Sequence, residues 1–101
     1  MYENNIEIFE FIDQIRYILS RKFLEKWKSK YSSHFVKIFQ GKVSKAMTDQ
    51  KPIKKSSLIS TFTKKHRYNI RLVEDFFEDI DITLYYPLIY EDYTLKQRKT
   101  S

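Results

Sequence analysis

The octet Lys64-Lys65-His66-Arg67-Tyr68-Asn69-Ile70-Arg71 gathers four cations, an aromatic ring and a side-chain amide into one short stretch. These residue types suit a polyanionic ligand that carries bases. Lys and Arg neutralise phosphates and release their counterions, Asn can read adenine, and a Tyr ring can stack on an unpaired base. Just upstream, Ser56 and Ser57, with the free amides of a helix start, can hold a further phosphate. The candidate nucleic-acid contacts are Lys54, Lys55, Ser57, Lys64, Lys65, Arg67, Tyr68, Asn69 and Arg71. Lys26, Lys28, Lys30, Lys37, Lys42 and Lys45 extend the phosphate track if they lie on the same side.

Other chemistry is poorly provided for. The chain has no Cys, which removes thiol catalysis, disulfides and thiolate metal sites. Its two His, His34 and His66, fall in different predicted helices and read as lone surface or helix-end residues, whereas zinc sites need three or four ligands, usually with closely spaced pairs. One Gly cannot build a phosphate-cradling loop or a dinucleotide fingerprint. Asp75, Glu78 and Asp79, three or four apart on a predicted helix, form a solvated acidic face rather than an acid–base pair. No catalytic residue, metal, cofactor or small-molecule substrate is expected.

Charge is sorted along the chain in blocks. Residues 1–15 carry four acids and no base. Residues 16–71 hold sixteen Lys or Arg against Glu25 and Asp49 alone, a net +14. Residues 72–93 hold seven acids and no base, and Lys96, Arg98 and Lys99 follow. Solubility alone does not require such segregation of sign, so the basic block predicts a polyanionic partner. The acidic start is the reverse of a targeting segment, and no apolar run approaches the roughly 18 residues of a membrane span, so a cytoplasmic or nuclear location is expected.

At 101 residues, 42% of them apolar, the chain has the material for one core, and residues 1–93 are read as a single domain. One Gly and two Pro disfavour many tight turns and point to helices. Ile8, Ile12, Ile15, Leu19, Phe23 and Trp27 recur every three or four residues behind an Asn4–Glu7 capping box, predicting one helix over residues 5–29. Ser32 or Ser33 caps a second helix with a Phe35–Phe39–Val43–Ala46 stripe, in which Gly41 can introduce a kink. Residues 48–55 read as an exposed connection with solvated Lys51, Lys54 and Lys55. Ser56 or Ser57 caps a short helix ending near Lys65, and Asn69 caps another that presents Ile70, Val73, Phe76 or Phe77, and Ile80. The β-branched and aromatic run from Ile82 to Tyr90 predicts a strand, with Pro87 placing it at a sheet edge, and residues 94–101 a disordered basic tail.

The pair of short helices resembles the helix-turn-helix and winged-helix superfamily over about residues 56–90. Ser57 to Lys65 stands as the supporting helix and Asn69 to Ile80 as the recognition helix. Two features depart from that pattern: Arg67-Tyr68 occupies a turn where a small residue is usual, and one strand cannot make a wing's hairpin. The resemblance implies DNA binding through the turn and the first turn of the second helix. The fold class expected is mainly α: a small helical domain with a helix-turn-helix pair and one C-terminal strand, a degenerate winged helix. The leading functional expectation is weakly specific DNA binding by a regulator or replication accessory. The alternative is a protein-interaction module that docks its acidic, aromatic C-terminal third, through Glu74, Asp75, Glu78, Tyr85, Tyr86 and Tyr90, on a larger enzyme such as a polymerase. An edge strand there could also pair with a second copy.

Overall fold

The computed structural model describes residues 12–85, 88–90 and 92, and it is mainly helical. Helix α1 covers residues 12–18, α2 Arg21–Tyr31 and α3 Ser33–Asp49. A two-residue strand β1, Ile53–Lys54, leads into α4, Lys55–Ser60, which widens into a π-helical turn over Thr61–Lys65. Helix α5, Ile70–Asp79, is followed by a 3-10 turn at Ile82–Tyr85 and strand β2, Ile89–Tyr90. The expected capping box at Asn4 and Glu7, Tyr86 and the tail lie outside the described residues.

The single helix expected over residues 5–29 is two helices in its described part. The apolar stripe runs on through Leu19, yet Leu19 is 40% exposed and the chain breaks beside it. The Ser20 hydroxyl donates to the Tyr17 carbonyl at 2.6 Å and accepts from the Phe23 amide at 3.3 Å, so one side chain closes α1 and opens α2. Gln40 of α3 fixes the break by donating its Nε2 to the carbonyls of Ile18 at 2.8 Å and Ser20 at 3.0 Å. Ser32 caps α3 as expected, its hydroxyl accepting from the Phe35 amide, and α3 continues through Gly41 without interruption.

The core is aromatic. Phe76 of α5 meets Phe23 and Tyr31 of α2 and Phe35 and Phe39 of α3, with ring centroids 5.0–6.3 Å apart in edge-on geometry. Phe35 stacks on Phe62 of the π-helical turn at 4.2 Å. Phe23, Phe35, Phe39, Phe62 and Phe76 are fully buried, so each of these helices is anchored by at least one Phe, worth about 3 kcal/mol or more on truncation.

The C-terminal strand is much shorter than expected. Asp81 takes a left-handed backbone, and Ile82–Tyr85 coils so that Ile82 and Tyr85, three apart, both enter the core. Among the described residues of this run, only Ile89 and Tyr90 form a strand, pairing in parallel with Ile53 and Lys54. Their edge toward the domain is therefore occupied by β1. Lys55 also departs from expectation: it is 6% exposed, with its Nζ 5.8 Å from the centre of the Phe77 ring.

Candidate nucleic-acid interface

The C-terminal half of α3 and the β1–α4 junction enclose a cleft of about 340 Å3. Lys42 and Lys45 reach it from α3, Lys51 and Lys54 from the connection and β1, Ser57 from α4 and Tyr90 from β2. Local structure explains the convergence. Gln50 adopts a left-handed backbone at the end of α3, the Lys51 amide donates back to the Ala46 carbonyl at 3.1 Å, and the chain reverses. In the two-residue ladder, Ile53 and Ile89 pack on the core while Lys54 and Tyr90 stand side by side at the cleft. Asp49 is the one described acid lining it, and Lys45 pairs with that carboxylate at 3.2 Å.

The basic character continues beyond the cleft. His34, in the first turn of α3, and His66, just after the π-helical turn, meet edge-on with centroids 5.5 Å apart. The His66 pKa is lowered, chiefly by loss of hydration and then by the charges of His34, Lys65 and Lys42. Lys42 thus lines the cleft and also acts through its charge on His66. Lys64, Lys65, Arg67 and Arg71 are all exposed around this end of the domain. The sequence predicts lone histidines, 32 positions apart, and the packing of the π-helical turn on α3 brings them together.

Several predicted contacts are otherwise engaged. The Tyr68 ring is half-buried, in edge-to-face contact with Phe35 at 4.9 Å and Phe62 at 6.3 Å, so it packs on the core rather than standing free for a base. Asn69 caps α5, its side-chain oxygen accepting from the Arg71 amide at 2.7 Å, which removes the acceptor that adenine would need. Lys55 is buried, because its stem enters the core beside Phe77. Ser56 does not wait for a phosphate: its amide donates to the Asp92 carboxylate at 2.8 Å and its hydroxyl at 2.5 Å. Those bonds, with the nearby Lys54, hold the Asp92 pKa below the usual range. Ser57 remains exposed at the cleft.

The lysines of α2 fall out of the proposed track. Lys28 pairs with Glu25 at 3.0 Å, Lys30 with Asp79 at 2.7 Å, and Lys26 lies 5.0 Å over the Trp27 ring. Among the residues assigned to a protein partner, Tyr85 is buried and Tyr90 lines the basic cleft, while Asp75 and Glu78 are exposed on α5 and Glu74 is half-buried. A second, less polar recess of about 250 Å3 lies between Tyr17, Trp27, Leu84 and Tyr85. No group of three or more metal-ligating side chains converges among the described residues. No described helix is long and apolar enough to cross a membrane. No family model, curated protein or solved structure matches the chain.

Proposed function

We propose that this protein binds nucleic acid through the face that runs from Lys51 and Lys54, across Lys45 and Lys42, to Lys65, Lys64 and Arg67. The observation that carries this reading is the cleft, where four lysines from α3, the connection after it and β1 meet around a single described carboxylate that is already paired. A protein that only needed charge for solubility would gain nothing by holding like charges together, since each raises the cost of the next. A polyanion reverses that cost. Because Tyr68 and Asn69 are engaged by the fold, the exposed contacts left are mainly cations, with the Ser57 hydroxyl, groups that go mostly to phosphates. Binding is therefore tolerant of sequence. The resemblance of α4 and α5 to a helix-turn-helix pair fits this reading only at Arg67 and Arg71, since Asp75 and Glu78 on the following turns would repel a phosphate backbone.

Titration of labelled DNA and RNA at two salt concentrations tests the reading. With about six phosphate contacts, affinity should fall on the order of a thousandfold between 50 and 200 mM salt. Lys42→Ala combined with Lys65→Ala should flatten the slope by about two phosphates. Absence of any polyanion binding at the lower salt would refute the proposal.

The less polar recess favours a second reading, a protein-docking surface. Tyr17 is 39% and Leu84 49% exposed at its rim, and such grouped apolar residues mark contact sites more often than they serve an isolated chain. A stable protein partner captured without measurable affinity for nucleic acid would favour it.

A further inference from the structure

The cleft has a shape and a lining that distinguish between forms of nucleic acid. We propose that it holds one unpaired nucleotide of a single strand, its base against the Tyr90 ring and its flanking phosphates on Lys42, Lys45, Lys51 and Lys54. This inference rests on the nucleic-acid reading above and narrows it.

Three observations carry it. First, the surface is concave. A duplex is read by an element that projects into its groove, whereas a recess receives something that projects from the ligand. Second, about 340 Å3 lies at the lower end of the range of small-ligand sites, enough for one nucleotide and too little for a base pair. Third, cations and an aromatic residue share the site, with Ala46, Pro52 and Ile53 adding apolar lining. That combination of a basic groove and a stacking platform is how single strands are held without regard to sequence. In a duplex both faces of each base are already stacked, so Tyr90 would have nothing to meet.

Tyr90 is suitably fixed for the task. Its neighbour Ile89 is buried, and the ladder to β1 sets Tyr90 opposite Lys54, so ring and cation are presented together by the backbone. Tyr68, the ring expected from sequence to stack on a base, is half-buried against Phe35 and Phe62. Four lysines exclude a metal ion from the cleft, and an acidic peptide would leave the ring without a planar partner.

The test compares three labelled ligands on the full chain: a single strand, its duplex, and a strand of the same length lacking bases. The single strand should bind about tenfold more tightly than either of the others. Tyr90→Leu should weaken binding of the base-bearing strand by about 5- to 150-fold, the equivalent of one lost stacked base. It should leave the duplex and the base-free strand unchanged, and Tyr90→Phe should behave as wild type. Thermal melting shows whether Tyr90→Leu is folded, and the comparison of ligands on wild-type protein does not depend on it. If duplex and single strand bind equally and neither Tyr90 variant alters them, the pocket assignment is overturned while nucleic-acid binding stands. If inorganic phosphate competes as well as a nucleoside monophosphate, the site is a bare anion site and the inference fails. If no nucleic acid binds at low salt, both readings fall together.

Discussion

The Tyr31 hydroxyl donates to the Asp79 carboxylate, joining residues 48 positions apart and fastening α5 to the end of α2. Lys30 holds the same oxygen at 2.7 Å. These bonds place the Asp79 pKa below its usual range, while burial, and then the bond to Asp79, raise that of Tyr31.

Opposite pH dependences follow. A depressed carboxylate adds stability above its unfolded pKa near 3.8, and that stability is lost as pH falls through the lower folded value. A raised phenol adds stability below its unfolded pKa near 10.0, which is lost as pH rises past it. Asp79→Asn should cost about 1 kcal/mol at neutral pH, after allowance for solvent screening, and blunt the acid limb. Tyr31→Phe should blunt the alkaline limb and leave the acid limb largely in place. Denaturant melts across the pH range measure both.

Lys54 and Lys55 are neighbours with opposite fates, and substitution should separate them. Lys54 is exposed at the cleft beside Tyr90, so Lys54→Ala should weaken nucleic-acid binding and reduce the salt slope by about one phosphate. Lys55 is buried over Phe77, so Lys55→Met, which keeps the stem and loses the charge, should leave binding and slope as they are. A slope reduced equally by both variants would show that the cleft does not set the contact surface.

Those neighbours also show what sequence can and cannot convey. Helices α3 and α5 are legible because their buried stripes keep helical spacing and because Ser32 and Asn69 stand at their caps. The break at Ser20 is hidden, since Ile15, Leu19 and Phe23 continue the stripe across it and the deciding bonds come from Gln40, twenty residues away. The run from Ile82 to Tyr90 has strand-like residue types, but the three-residue step from Ile82 to Tyr85 already matches a coil that buries both. For the candidate site, the basic character of the middle is plain in the sequence. Which lysines converge depends on the reversal at Gln50 and the pairing of Lys54 with Tyr90, and neither leaves a local signature. Sequence alone therefore does not join Lys51 and Tyr90 in one cleft, and it predicts an exposed Lys55 where the side chain is buried.

The histidine pair predicts a pH response of binding. Without ligand, lost hydration and then the charges around it disfavour the protonated form of His66. Its lowered pKa means that stability is present above the unfolded value of 6.5 and is lost as pH falls through the folded one. A bound polyanion supplies the opposite charge and favours protonation, so affinity should rise as pH falls toward the lowered pKa of the free protein. Anisotropy titrations at fixed ionic strength across that pH range measure the change. His34→Ala and His66→Ala should each reduce it, and a pH-independent affinity in wild type would remove the pair from the interface.

Arg67 sits where a glycine would be favoured. Its φ of 64° places it in the left-handed region at the end of the π-helical turn, next to the Tyr68 amide that donates to the Phe62 carbonyl at 2.8 Å. A non-glycine residue there costs on the order of 1 kcal/mol, and the exposed side chain makes no described ion pair that offsets it. If the charge is retained for its contact with phosphate, stability and binding should move in opposite directions. Arg67→Gly should raise stability by up to about 1 kcal/mol in thermal melts and weaken nucleic-acid affinity, with a salt slope smaller by about one. Arg67→Lys should keep the slope and the strain. Were Arg67→Gly to gain stability at no cost in affinity, the strained turn would have no part in binding, and the face would end at Lys65.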